Sequence, residues 1–302
     1  MDDLEFSLFP PEICESEILY IIGNGFDIAH NIKSKYSDFQ KWCCDNKLNI
    51  SIFDALFSTR QDFWKDIETA LGSYDEEAIL EFCKPDEEFD YEHSLSSSAK
   101  VEDAPMNILK PALDDLRIWF EKWVNSIDIS SAKPYLHLHK DAKYFTFNYT
   151  ETLENVYIIP FDNICHIHGN RLLHDNQYIF GHNSFKKDNG KYGELPLFEE
   201  NAYLSIRECF NEFMKPVKGK ISSNKLFLEN LSDIKLVYVL GHSLSAIDID
   251  YFKEIFSKFK EQPRVIFSTH DKKDEKTVED FVVNNNNIRQ YKIICITDLE
   301  GK

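Results

Sequence analysis

Short apolar runs recur along this chain, and several are hydrophobic at every position rather than at alternate ones. The segments 18–22, 143–147, 163–168, 178–181, 236–240, 264–268 and 292–296 are rich in β-branched and aromatic residues. Runs of this length without polar alternation predict strands covered on both faces. Helical spacing separates the later runs, so the pattern predicts a mainly parallel sheet wrapped by helices. An α/β, Rossmann-like class follows.

About 120 residues separate the first two predicted strands, far more than one crossover helix needs. Leu109, Leu113, Leu116, Phe120, Trp123 and Ile127 recur at steps of three and four, which predicts an amphipathic helix. Phe63, Ile67 and Leu71 predict another. Residues 84–105 are acidic, Ser-rich and aperiodic, and predict a loop. A helix through Ile206, Phe210 and Phe213 is expected further on. The expected organisation is a single α/β core domain over 1–302 with mostly helical insertions at about 50–135 and 185–231. Trp119, Phe120 and Trp123 fall on neighbouring helix faces, too wide an apolar surface for one seam. A homo-oligomer is expected to cover part of it.

Composition narrows the function classes. Apolar residues make up 43% of the chain, with 24 Phe and 14 Tyr, enough for a full core. The net charge of −18 repels a phosphate backbone, and the nearest basic run, 215–220, is short. Nucleic acid is therefore disfavoured as a partner. The seven cysteines are odd in number, irregular in spacing and without a C-x-x-C pair, which argues against a disulfide framework or a zinc ribbon. The first residues are acidic and lack the apolar segment of a signal peptide, and no run approaches the ~20 apolar residues of a membrane span. A cytoplasmic location with no membrane partner is expected.

Four motifs follow predicted strands. Gly23-Asn24-Gly25-Phe26-Asp27 is a strand-to-turn element in which glycines let N–H groups approach a pyrophosphate, or simply supply a tight turn. Ser37-Asp38-Phe39-Gln40 beyond it has the form of a capping box. Asn148, in Thr146-Phe147-Asn148-Tyr149-Thr150-Glu151-Thr152-Leu153-Glu154, offers a donor and an acceptor to a ribose or a water, or caps the next helix. His166-Ile167-His168-Gly169 puts two imidazoles on one strand face, as a metal pair or as one catalytic beside one structural histidine. A metal would need more ligands, such as His182, His242 or His270. Leu240-Gly241-His242-Ser243-Leu244-Ser245-Ala246-Ile247-Asp248 is a loop able to meet a ribose or base, or an ordinary connection into a helix through Phe252, Ile255 and Phe259. All four would converge on one edge of the sheet.

These elements, in this order and spacing, resemble the AbiH family of bacterial abortive-infection proteins. Their core in turn resembles the sirtuin nucleotide-binding core. The resemblance implies an antiphage effector that binds nicotinamide adenine dinucleotide (NAD) as substrate and cleaves its nicotinamide–ribose bond. It implies Asn148 and His168 as the catalytic pair, with His168 as general base. Gly23, Asn24, Gly25, Phe26, Asp27, Gly169, Gly241, His242 and Ser243 would bind the nucleotide, with Phe26 walling the nicotinamide pocket. No metal is expected. Thr150 departs from the sirtuin pattern, which has Asp there, and the sirtuin zinc module is missing. The rival functions are a metal-dependent hydrolase or nuclease built on His166 and His168, and a non-catalytic nucleotide sensor.

Overall fold

The computed structural model describes residues 12–57, 63–84, 95–172, 178–184, 186, 193, 195–269, 272–285 and 287–296. The chain divides into two compact units, one formed by Met1–Ser34, Ser126–Ile179 and Pro216–Lys302, the other by Lys35–Asn125 and Phe180–Lys215.

The first unit is built on β1 (Ile18–Ile22), β2 (Lys143–Thr146), β3 (Ile164–His166), β4 (Leu236–Leu240), β5 (Arg264–Thr269) and β6 (Gln290–Cys295). They form one parallel sheet in the order β3-β2-β1-β4-β5-β6. This is an α/β fold of the Rossmann-like kind. Its helices are α1 (Asn24–Ala29), α7 (Thr152–Asn155), α9 (Val217–Ser223), α10 (Lys225–Glu229), α11 (Ile249–Lys258) and α12 (Lys272–Val283). Every residue of β1 and β4 is buried, as their unbroken apolar character requires. Alternate side chains feed two cores: Leu19 and Ile21 join Val237 and Phe252, while Ile18, Tyr20 and Ile22 join Tyr144 and Tyr238. The three tyrosines sit opposite one another in register and stack across β2, β1 and β4 at 4.9 and 4.8 Å. Each stacked pair adds about 0.5–1.5 kcal/mol beyond burial.

The second unit contains α2 (Tyr36–Asp45), α3 (Ser51–Leu56), α4 (Ile67–Gly72), α5 (Glu76–Cys83), α6 (Leu95–Ser126) and α8 (Leu197–Asn211). Phe39, Trp64, Phe120 and Trp123 pack as an aromatic core, and Phe120 stacks on Phe180 at 4.0 Å. Phe120 and Trp123 are thus buried within their own unit, and Trp119 meets Phe53 edge-on. These rings find partners inside the unit, so by themselves they give no reason for a second subunit.

Three expectations need correction. Residues 95–105 are helical, because Val101, Pro105 and Leu109 extend the buried stripe of α6 upstream, and only 85–94 of the expected loop lie outside the described residues. Residues 178–181 form no strand. Their apolar character has another cause: the chain passes from one unit to the next between Ile179 and Phe180, and both residues are buried. The capping box is displaced: α2 starts at Tyr36, and the Lys35 N–H donates to the Asp38 carboxylate.

At the carboxyl edge the turns after β1 and β4 touch backbone to backbone. A Cβ at Gly23 would lie 2.6 Å from the His242 Cα, and one at Gly25 would lie 2.8 Å from the Gly241 Cα. Gly241 has φ +63 besides, a conformation other side chains resist. Gly23→Ala and Gly241→Ala are each expected to cost about 1–3 kcal/mol, measured by urea unfolding. Gly219→Ala, on α9 with only Pro216 Cβ at 4.0 Å, should be neutral or stabilising by up to about 1 kcal/mol.

Candidate functional site

The motif residues do gather at the carboxyl edge of the first unit's sheet, but their contacts differ from several expectations. The Gly23 N–H donates to Leu240 O at 2.9 Å, and the Gly25 N–H to Gly241 O at 2.7 Å. Both amides are used inside the fold, so neither is presented to a pyrophosphate; the glycines allow the two turns to touch. Phe26 is fully buried against His30 and Tyr157, in the core rather than on a pocket wall. Asn24 is exposed and its amide donates to Ser34 O at 2.8 Å. Ser243 is exposed in the loop after β4. Gly169 closes the turn after β3, its N–H reaching His166 O at 3.4 Å.

Asp27 lies at the base of a buried polar cluster. Thr150 Oγ1 donates to its carboxylate at 2.6 Å and Thr152 Oγ1 at 2.8 Å. The Asn148 side chain also hydrogen-bonds it. Burial pushes the Asp27 carboxyl up to about 6, against the pull of these three donors and of Arg171. Thr150 now has a reason: an Asp there would set two carboxylates in contact, whereas the threonine donates.

Asn148 is 6% exposed and caps no helix, since α7 begins after Glu151. Its backbone N–H donates to Thr146 Oγ1 at 3.1 Å, and its side-chain Oδ1 is buried with no hydrogen-bond partner in the protein. An orphaned acceptor of this kind costs about 1–3 kcal/mol unless a ligand or water completes it.

His166 and His168 do not form a pair. β3 ends at His166, and the chain turns before His168. His166 Nε2 lies 2.7 Å from Glu154 Oε1, and the Asn170 amide donates to the same oxygen at 3.0 Å. Arg171 reinforces this turn through a two-pronged ion pair with Glu151. His168, 3% exposed, faces another carboxylate: its Nε2 is 3.7 Å from Asp248 Oδ1. A shared metal between His166 and His168 therefore does not fit these orientations. Among the described residues no group of three or more His, Cys, Asp or Glu is arranged to hold a metal ion. His182 is buried against Phe210 O, and His270 lies outside the described residues.

Asp248, Thr152 and Glu154 stand inside the sequence motifs but carry no role there; the structure brings them against Asp27, His166, His168 and His242. Asp248 stands six residues beyond His242 at the start of α11, where its sequence position reads as an ordinary cap. Beside the cluster, a cavity of about 460 Å³ is lined by residues that include Asp128, Ser130, Glu151, Asn155 and Arg171.

Parallel strands in this order define a Rossmann-like α/β protein, and polar side chains from the loops after β1, β2, β3 and β4 make the strands' carboxyl ends its candidate site. Residues 19–270 match the family model described as bacteriophage abortive infection AbiH. The chain belongs to that family, and its role is in abortive infection. No curated protein and no solved structure gives a significant match. Among the described residues no helix is long and apolar enough to cross a membrane.

Asp27 gives a pH test of the cluster. It binds its proton more tightly folded than unfolded, so its contribution is full below about pH 4 and is lost as pH rises through about 6. The wild-type minus Asp27→Asn difference in unfolding free energy should fall by up to about 3 kcal/mol between pH 4 and pH 8. A difference independent of pH would show that Asp27 ionises normally.

Proposed function

We propose that this abortive-infection protein hydrolyses NAD at the nicotinamide–ribose bond, with Asn148 and His168 as the catalytic pair. The observation that carries the proposal is the buried, unpartnered Oδ1 of Asn148, whose side chain is held by Asp27. A ribose hydroxyl or the attacking water supplies the donor this oxygen lacks. The likeness of the motifs to the sirtuin core supports NAD as the ligand.

His168 comes from the next loop, its ring 5.3 Å from Phe147 and 6.3 Å from Tyr149, the residues flanking Asn148. In the reaction the bond from the ribose carbon to the pyridinium nitrogen breaks, and its electron pair leaves with neutral nicotinamide. Positive charge develops on the ribose, water oxygen bonds to that carbon, and His168 takes the water's proton. The products are nicotinamide and ADP-ribose. With Gly23 and Gly25 engaged by the turn after β4, the binding contacts fall to the ribose end.

Purified protein incubated with NAD is expected to release nicotinamide. His168→Ala should lower that rate ~10²–10⁴-fold through loss of the base. Asn148→Ala should cost a comparable factor by misplacing ribose or water. His166→Ala should cost less, since its partner is Glu154. Full nicotinamide release by His168→Ala would overturn the assignment, and nucleotide binding without turnover in the wild type would favour a sensor.

A further inference from the structure

We propose that Asp248 is a positioning residue that serves His168 and His242 together, joining the two imidazoles around one carboxylate as a single acid–base unit. For its catalytic consequence this rests on His168 being the base; the unit itself stands on geometry alone.

Asp248 occupies the N-cap position of α11, where aspartate ordinarily accepts from the first helical N–H groups, yet its side chain makes no capping bond. Instead its two oxygens are divided: Oδ1 lies 3.7 Å from His168 Nε2, and Oδ2 lies 3.7 Å from His242 Nε2. All three side chains are nearly out of solvent, at 4% for each imidazole and 11% for the carboxylate. The helix N-terminus favours the ionised carboxylate.

The turn after β4 fixes which way His242 faces. The Leu244 N–H donates to His242 Nδ1 at 2.9 Å, so a neutral His242 carries its proton on Nε2, directed at Asp248. Leu244 holds φ +53, an unusual conformation for a buried leucine, and that turn is what brings its N–H to the ring. Aromatic rings enclose the unit: Phe147 and Phe252 lie 4.4 and 4.9 Å from His242, and Tyr251 lies 5.7 Å from His168. The rings of Tyr149 and Tyr251 also face His168.

One carboxylate neutralises one imidazolium. The first proton to bind is stabilised by the carboxylate's charge; a second makes an unpaired buried cation. The pair therefore titrates in two separated steps that belong to the unit rather than to either ring. For His168 acting as base, Asp248 holds the ring's orientation and stabilises the proton it accepts, while His242 stays neutral.

The test is an NMR titration of the imidazole signals of His168 and His242 in the full chain, assigned with single His→Gln variants. Asp248→Asn, which keeps size and shape, is expected to move both titrations down by ~1 pH unit or more, because the stabilising charge is gone. The acidic limb of the pH profile for nicotinamide release should shift the same way, with kcat lower ~10–100-fold and KM little changed. Asp248→Glu should restore part of both. Should Asp248→Asn fail to fold, His242→Gln serves instead and is expected to leave His168 titrating in one step at higher pH. An unmoved His168 titration in folded Asp248→Asn, or in His242→Gln, would overturn the proposal. If the wild type releases no nicotinamide but the titrations move as stated, the acid–base unit stands and the NAD reaction falls.

Discussion

The contact between the turns after β1 and β4 sets the position of almost everything at the carboxyl edge. These strands run in register from Ile18 opposite Leu236 to Ile22 opposite Leu240, and their turns stay in contact beyond the last pair. Only glycine at 23, 25 and 241 lets two backbones approach so closely. From that contact α1 carries Asp27, just past Gly25, to the β2 side, where Thr150 and Thr152 meet it. The other turn carries His242 and then Asp248 toward His168. In sheets of this order, ligands enter the crevice where strand order reverses, between β1 and β4. Here that crevice is filled at its base by the protein's own backbone, so the polar side chains collect on the side of β2 and β3.

Two buried carboxylates then divide the chemistry. Asp27 spends its acceptors on Thr150, Thr152 and Asn148, and its elevated pKa records how far burial outweighs those donors. Asp248 turns instead to two imidazoles. The first arrangement fixes an amide, the second sets a carboxylate between two rings. Neither needs the net charge of −18 as such, because burial removes both carboxylates from the screening that weakens exposed pairs.

The sheet was legible in the sequence because its central strands are buried on both faces, and an unbroken apolar run such as 236–240 fits few places besides a doubly covered strand. Residues 178–181 misled for the same reason: apolar character reports burial, and this segment is buried where it leaves one unit and enters the other. Val101 was hidden by the charged and serine residues around it, though it continues the helical stripe. The motifs do come together at the carboxyl edge, but residue type cannot give direction. Gly23 and Gly25 read equally as an open cradle or a close contact, and only the position of Gly241 decides. His166 and His168 looked like one pair because strand geometry was extended two residues too far. Asp248 ends its motif without a role there, because an aspartate before a helix already has a sufficient local reason.

The polar groups at this edge stabilise the fold less than apolar ones in their places would. Asn148 Oδ1 and Glu154 Oε2 are buried without partners, and Leu244 holds a left-handed backbone to present one N–H to a ring. Each feature costs stability, and all lie close behind β2 and β4 in the chain. Elsewhere in the same unit the packing is apolar and in register, as the Tyr20, Tyr144 and Tyr238 stack illustrates. Local conflict of this kind also occurs elsewhere in the unit, at the left-handed Ile158 and the buried Ser34 Oγ, but here several such features fall on neighbouring loops. The near-complete burial of Asn148 and His168 adds a constraint: any substrate reaching them must part these loops, and the groups it meets are then already shielded from bulk water.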